Sequence, residues 1–241
     1  MMKAAPTASE SAGVAAVDRA LGLLETIAAA TEPRTLADLA AATGLYKSTI
    51  LRLIGSLDAA GYVTRLRDGR YTLGATAFRL GVSYERATPL RQHALPVLRD
   101  LVDAGSESAS LHVRRDQNTR LCLLRVDSRH ATLDRLHAGD LLPLERGAAG
   151  RVLLAFAGAM GAAPDAVRAE LFTVSRGERD PGCAGMAAPV FGPDGAVLGA
   201  LSLSGANDRF TDAMIATWRP KLINAALDVT RSLGGCWPSP R

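Results

Sequence analysis

Residues 35–73 constrain the fold of this chain more than any other segment. Their sequence is TLADLAAATGLYKSTILRLIGSLDAAGYVTRLRDGRYTL, in which two short helical patterns meet at a turn and precede a hairpin. An Asp-Gly pair between two strand-like runs, here Asp68-Gly69, is a strong hairpin signal. This order of elements predicts a winged helix-turn-helix, a shape whose second helix fits the DNA major groove.

Helical spacing supports the three helices of this unit. Thr35 is a helix cap, and Thr43-Gly44 ends the helix that it starts. A third helix begins at about Tyr46. The apolar stripes are Val14, Val17, Leu21, Leu24 and Ala28 on the first helix, and Ile50, Leu53, Ile54 and Leu57 on the third.

The outer side of the third helix carries the small hydroxyls and cations that a groove-facing helix needs. Hydroxyls and Lys reach phosphates, whereas Arg pairs with a guanine edge through two hydrogen bonds. Arginines also cluster at the hairpin tip, where they could contact the DNA phosphate backbone or enter a minor groove. The alternative is a solvated amphipathic helix beside a solvated hairpin. The candidate DNA contacts are Tyr46, Lys47, Ser48, Thr49, Arg52, Ser56, Arg65, Arg67 and Arg70.

The net charge of the chain does not by itself indicate DNA binding. The 241 residues hold 28 Lys and Arg against 24 Asp and Glu, a net charge of +4 that attracts polyanions only mildly. The placement of the cations must therefore decide. With 48% hydrophobic residues the chain can build two packed domains.

Several classes are excluded by what the sequence lacks. No apolar run approaches the roughly 20 residues of a membrane span, and residues 1–12, interpreted as a flexible tail, contain no secretory signal. Cys122, Cys183 and Cys236 lie far apart, which supports neither a disulfide framework nor a metal site and suits a reducing cytoplasm. The four histidines also lack metal-like spacing, so we expect no metal and no cofactor.

The second half predicts a mixed domain. Residues 75–88 indicate a linker helix that ends at Thr88-Pro89, dividing residues 13–74 from residues 89–241. Successive strands joined by short turns favour an antiparallel sheet with helices on its faces, an α+β class. The predicted strands are Ala109–Arg114, Arg120–Val126, Thr132–Leu136, Met186–Phe191 and Val197–Ser204, and the predicted helices are about 90–104, 149–159, 164–171 and 210–233.

Short motifs spread over residues 14–232 carry a family resemblance. Those of the first half are Val17-Asp18-Arg19-Ala20-Leu21-Gly22-Leu23-Leu24, Thr43-Gly44-Leu45-x-Lys47-Ser48-Thr49-x-x-Arg52-Leu53, Gly61-Tyr62-Val63 and Tyr71-x-Leu73-Gly74. Those of the second half are Gly139-Asp140-Leu141-Leu142-Pro143-Leu144, Ala149-Gly150-Arg151-Val152-Leu153-Leu154-Ala155-Phe156, Gly185-Met186-Ala187-Ala188-Pro189-Val190-Phe191 and Gly199-Ala200-Leu201-Ser202-Leu203-Ser204-Gly205. Together they resemble the IclR family of bacterial transcriptional regulators. The resemblance implies a winged helix-turn-helix joined by a linker helix to a GAF-like effector-binding domain, acting as a homodimer or a dimer of dimers. We expect a repressor, and an activator is the alternative because the choice depends on promoter geometry, which a chain does not encode. We expect a palindromic double-stranded DNA operator.

The same resemblance locates an effector site. Gly147-Ala148-Ala149-Gly150 opens a helix, where free amides and the helix dipole favour an anionic or carbonyl group. Ser202 and Ser204 alternate with leucines, so both hydroxyls point to one sheet face. Taken alone, these small residues indicate only close packing. By resemblance the effector contacts are Ala148, Ala149, Gly150, Gly185, Ser202 and Ser204, and Gly185 lacks the polar or thiol side chain of some members.

Two classes of function remain. One is a ligand-responsive transcriptional regulator, whose effector is an organic acid, an aromatic acid or a lactone. The other is a small-molecule enzyme with an N-terminal module that only mediates assembly. The missing nucleophile and acid–base constellation argues against the enzyme. Glu178, in a charged loop, matches an acidic position common in the family and is interpreted as a surface charge rather than a ligand contact. Phe210 and Trp218 are interpreted as core or subunit interface.

Overall fold

Two units make up the chain in the computed structural model, Met1–Ala87 and Thr88–Arg241. The structure describes residues 13–130 and 134–238. The predicted tail, residues 1–12, lies outside the described residues. None of the described helices has both the length and the apolarity needed to cross a bilayer.

The first unit contains three helices, a hairpin and a fourth helix. Its hydrophobic core is built from Leu23, Leu39, Ile50, Ile54 and Val63, all 5% exposed or less. The hairpin strands pair antiparallel. The elements are α1 Ala15–Ala28, α2 Leu36–Thr43, α3 Lys47–Ala59, β1 Val63–Arg65, β2 Tyr71–Leu73 and α4 Ala75–Ala87.

Both ends of α2 are set by local chemistry. The Thr35 hydroxyl accepts a hydrogen bond from the Asp38 N–H at 3.2 Å, and the Asp38 carboxylate accepts one from the Thr35 N–H at 3.0 Å. This reciprocal capping box satisfies two amide groups at the start of the helix. Gly44 ends α2 in the left-handed conformation, with φ of 68°. The predicted cap and the predicted end of α2 are both confirmed.

Most of the apolar stripe predicted on α1 lies outside the core, and only Leu24 of its residues packs against the core. Leu23 and Ile27 are the buried residues of this helix, whereas Val14, Val17 and Leu21 are 67%, 51% and 55% exposed. The helix therefore has two apolar faces, and the core of this unit buries only one of them.

The second unit is a six-stranded antiparallel sheet with helices on both faces. The strand order is β5-β4-β3-β8-β7-β6. The elements are α5 Pro89–Asp103, β3 Ser108–Arg114, β4 Thr119–Val126, β5 Leu141–Pro143, α6 Ala148–Phe156, α7 Ala162–Glu170, β6 Thr173–Arg176, β7 Cys183–Phe191, β8 Val197–Ala206, a 3-10 turn Asn207–Arg209 and α8 Asp212–Ser232.

Alternation along the central strands separates the two faces of this sheet. Met186 and Leu203 point into a core that includes Leu98 of α5 and Leu222 of α8. The next residues along each strand point to the other face, toward α6 and α7. Ser202, Ser204 and Gly185 fall on this α6 face, as the sequence pattern predicts for the two serines.

Some of the predicted strands differ from the observed ones. Strands β5 and β6 have three and four residues, too few to show a period-2 pattern, and the sequence did not predict them. Thr132 and Leu133 of the strand predicted at Thr132–Leu136 lie outside the described residues, and residues 134–136 are not in a strand. The Asp134 side chain is instead held by ion pairs with Arg125 and Arg179.

Candidate functional site

The outer face of α3 presents the predicted DNA contacts to solvent. Lys47, Ser48, Arg52 and Ser56 are exposed, and Thr49 is half-buried. Tyr46 precedes the helix at its cap position and is 84% exposed. The opposite face is anchored in the core of the first unit, so the polar face has a fixed direction. Such a helix can enter a major groove without rearranging its core.

The three arginines of the hairpin are not equivalent. Arg65 and Arg67 are exposed. The Arg70 guanidinium instead pairs with the Asp68 carboxylate, with 2.8 Å between Nε and Oδ2. This hydrogen bond raises the pKa of Arg70 and lowers the pKa of Asp68. The pair stiffens the turn and partly neutralises Arg70, so the exposed cations of the hairpin are mainly Arg65 and Arg67.

A second polar cluster encloses a cavity on the α6 face of the sheet in the second unit. The enclosed part of this cavity is small, about 30 Å³, and the space measures about 400 Å³ only when its open mouth is included. The cavity is lined by His112, Arg120, Leu136, Gly147, Ala148, Ala149, Ser175, Glu178, Arg179, Cys183, Ala184, Gly185, Ser202 and Ser204. Five of the six predicted effector contacts are therefore brought together here: Ala148, Ala149, Gly185, Ser202 and Ser204.

Gly150 is the predicted contact that does not line the cavity. A Cβ atom at this position would lie 2.1 Å from the Leu144 carbonyl oxygen and 2.8 Å from an Arg120 guanidinium nitrogen. The glycine is therefore required for close packing of α6 against the preceding loop and against Arg120. Its effect on the cavity is indirect, through the position of Arg120.

The first amides of α6 are partly occupied by side chains of the protein itself. The Gly147 N–H donates to Glu178 Oε2 at 2.9 Å, and the Ala148 N–H donates to Ser175 Oγ at 2.8 Å. Glu178 also pairs with Arg151 of α6. The interpretation of Glu178 as a surface charge is wrong, because its carboxylate lies at a helix N-terminus in the cavity wall. Within the described chain, the Ala149 N–H has no acceptor.

Two buried side chains of the cavity have unsatisfied nitrogens. Arg120 Nη1 donates to the Arg146 carbonyl at 2.7 Å and to the Pro143 carbonyl, but Arg120 Nε has no partner among the described residues. His112 Nε2 lies 3.1 Å from Ser110 Oγ, whereas Nδ1 is likewise unpartnered in the described chain. An unsatisfied buried polar group costs about 1–3 kcal/mol, so both atoms favour a ligand that supplies a partner.

The protonation states of these two groups follow from their surroundings. Burial, followed by the charge of Arg179, lowers the pKa of Arg120 to about 10, so the guanidinium stays charged at neutral pH. Burial first, and then the charges of Arg120, Arg179 and Arg125, lower the pKa of His112 well below its usual range. The cavity therefore contains a neutral imidazole beside a buried cation.

A carboxylate balances two neighbouring arginines but not Arg120. Asp134, whose side chain is fully buried, pairs with Arg125 and with Arg179 Nη2 at 2.6 Å. The Ser204 hydroxyl donates to the same carboxylate at 2.9 Å. No carboxylate of the described chain pairs with Arg120. Of the two predicted serines, Ser204 is thus engaged by the protein, whereas Ser202 has no side-chain partner in the described structure.

Comparison with known protein families decides between the two classes of function. The IclR helix-turn-helix domain matches residues 16–67. The C-terminal domain of the bacterial transcriptional regulator IclR matches residues 82–164 and 158–231. The chain belongs to the IclR family. As an IclR-family protein, it is a ligand-responsive DNA-binding transcriptional regulator, and nothing supports the alternative of an enzyme.

Relatives of this IclR-family chain match it over nearly its whole length. The transcriptional repressor IclR of Escherichia coli (strain K12) is 28% identical, covering 96% of this chain and 94% of that protein. The structure of an IclR transcriptional regulator from Silicibacter sp. TM1040 is 29% identical, with a TM-score of 0.74 and coverage of 93% and 98%. An IclR homologue from Microbacterium hydrocarbonoxydans, solved with 4-hydroxybenzoate, is 23% identical, with a TM-score of 0.75 and coverage of 91% and 99%. The predicted α+β class, a helix-turn-helix unit followed by a mixed unit, is confirmed.

The sequence did not single out His112, Arg120, Arg179 or Asp134. For His112 a signal was present, because Ser110 and His112 alternate with Ala109 and Leu111 along β3, as a strand with one polar face requires. For Arg120 in β4 and Arg179 in the loop after β6 no local signal exists, since an arginine has the same sequence pattern at these positions whether it is buried or solvated.

Proposed function

We propose that a small organic anion, bound in the cavity of the second unit, is the signal that changes DNA binding by the first unit. The observation that carries the proposal is Arg120, a buried cation that no described carboxylate balances and whose Nε is unpartnered. An uncompensated buried charge is unfavourable, so an anion that pairs with it binds strongly.

The other lining groups define the class of effector. The unpartnered Ala149 amide at the start of α6 favours a carboxylate beside Arg120. His112 Nδ1 and the Ser202 hydroxyl are available to a second polar group, such as a ligand hydroxyl. We therefore propose an organic or aromatic acid rather than an uncharged lactone. The 4-hydroxybenzoate bound by the Microbacterium relative has this chemistry, one carboxylate and one hydroxyl.

For the first unit, we propose that α3 and the hairpin read a palindromic operator as part of a homodimer, which can pair further into a dimer of dimers. An apolar groove supports the dimer, because contiguous exposed apolar surface marks association sites. The groove lies between α1, β2 and α4 and is lined mainly by Leu21, Leu24, Leu73, Ala77 and Leu80.

We also propose a repressor, as in the Escherichia coli relative, and no catalytic role for the cavity. A nucleophile in the cavity would need activation by a base or a lowered pKa. Burial instead raises the pKa of the Cys183 thiol, which disfavours its thiolate. This supports a cavity that binds its ligand without reacting with it.

A screen of small acids against their matching amides tests the proposed function. The operator is first selected from random duplexes with the full-length protein. At about 100 times its Kd a ligand stabilises a protein by about 2.7 kcal/mol, enough to raise the melting temperature by several degrees. We expect at least one acid to do this and to release the operator, and its amide to do neither. Equal effects of acid and amide would contradict an anionic effector.

Leu21→Glu is expected to disrupt the proposed dimer. Leu21 is 55% exposed, so the folded unit tolerates the change, but a charge in an apolar interface is unfavourable. Light scattering should show monomers, and operator affinity should fall at least about tenfold because one half-site is lost. The matched control is Met160→Glu, which charges an 88% exposed apolar residue of the second unit. A Leu21→Glu protein that remains dimeric would show that another face associates.

A further inference from the structure

Glu178 places a carboxylate of the protein itself at the anion-binding end of the cavity. Its Oε2 accepts the Gly147 N–H at 2.9 Å, and its Oε1 pairs with the Arg151 guanidinium. Both groups favour negative charge, the amide because it begins α6 and the guanidinium because it is a cation. The same groups would attract the carboxylate of a ligand.

We propose that Glu178 is an internal substitute for the effector carboxylate, holding the start of α6 until an anion displaces it. This inference rests on the proposed function of the cavity as an anion site. A second, independent observation points to a ligand there. Arg120 and His112, residues that are 97% and 98% buried, line the same cavity, and each carries one nitrogen, Nε and Nδ1, that is unpartnered among the described residues.

The surroundings of Glu178 allow it to leave. Its side chain is 26% exposed and that of Arg151 is 44% exposed, so their ion pair is partly solvated and weak. Glu178 lies in the loop between β6 and β7, outside both strands. The side chain can therefore move without breaking a hydrogen bond of the sheet.

Displacement of Glu178 is coupled to the ion pairs behind the cavity. The next residue in the loop, Arg179, donates to Asp134, and Asp134 also holds Arg125 and Ser204. If the loop moves so that Glu178 turns outward, Arg179 moves with it and the ion pair between Arg179 and Asp134 is weakened. Effector binding at α6 is thereby transmitted to β4 and β8.

Chemical rescue of a truncated Glu178 tests this inference. Glu178→Ala removes the internal carboxylate, and propionate supplies the same terminal atoms from solution. We expect propionate to raise the melting temperature of the full-length Glu178→Ala protein in a saturable manner, with an apparent Kd at least about tenfold below that of the wild type, because no internal competitor must leave. Glu178→Gln, which keeps the shape but not the charge, should give an intermediate Kd.

The matched control is Glu170→Ala, which removes a carboxylate that pairs with Arg219 at 3.0 Å on the surface of the same unit and should respond to propionate as the wild type does. Equal propionate affinities in all four proteins would overturn the inference. Weaker binding of an identified effector by Glu178→Gln would also overturn it, because Glu178 would then be a ligand contact. A different result would reject the proposed function but not this inference: propionate stabilises the Glu178→Ala protein, yet no acid releases the wild-type protein from its operator.

Discussion

Replacing Arg120 by Met is expected to abolish the response to organic acids while leaving operator binding intact. Methionine approximates the length of the arginine stem but carries no charge. Removing one partner of a buried, hydrogen-bonded charge pair costs about 2–5 kcal/mol, which is a loss of roughly thirtyfold or more in affinity. The measurement is calorimetric titration of the identified acid into the wild type and the variant, with operator release measured in parallel.

The size of this effect follows from the pairing of the arginines around the cavity. Arg125 and Arg179 already share the Asp134 carboxylate, so either contributes less to an added anion. The hydrogen bonds that Arg120 makes in the described chain go to carbonyl oxygens, those of Pro143 and Arg146. The positive charge of its guanidinium is therefore not neutralised by a carboxylate of the described chain and is available to pair with an anionic ligand.

Two further variants separate charge from structure at this position. Arg120→Lys retains a cation but not the planar donor array, so an intermediate affinity is expected. Arg99→Met removes an exposed arginine of α5 and should change nothing. Because Arg120 also holds two carbonyls at the start of α6, the Met variant should melt at a lower temperature, and binding must be measured well below that transition. Unchanged affinity in a folded Arg120→Met protein would place the anion elsewhere.

The parts of the fold that the sequence predicted have local causes. Thr35 and Asp38 form a capping box within four residues, Gly44 ends α2 by its own conformation, and Asp68-Gly69 closes the hairpin. Each of these signals is complete within a short window, so no knowledge of the tertiary structure is needed to recognise it.

The cavity could be predicted only in part. Small residues at the start of α6 and the hydroxyls of β8 are visible as motifs, and they do line it. Arg120, His112 and Glu178 come from three separate elements, and what distinguishes them is burial and the absence or presence of a partner. These properties depend on distant residues. The exposed apolar face of α1 is a similar case. The helical spacing of apolar residues predicts that the face exists, but not whether the core or another chain covers it.

Arg52→Ala is expected to reduce operator affinity far more than affinity for unrelated DNA. Arg52 is the single arginine of α3, and it is exposed on the polar face of that helix. An arginine that pairs with a guanine edge contributes about 1–3 kcal/mol of discrimination, so specific affinity should fall roughly ten- to hundredfold. Titration of labelled operator and of scrambled duplex, each at two salt concentrations, measures both losses.

The companion variants decide what Arg52 reads. A phosphate contact would be retained largely by Arg52→Lys, whereas a two-pronged contact to guanine would not, because lysine lacks the planar fork. Ser56→Ala, one turn along the same face, removes a hydroxyl without a charge and should cost much less than Arg52→Ala. If Arg52→Ala weakens operator and scrambled duplex equally, with the salt dependence reduced by about one unit, Arg52 contacts the backbone alone. Sequence reading would then have to come from the rest of α3 or from the hairpin arginines.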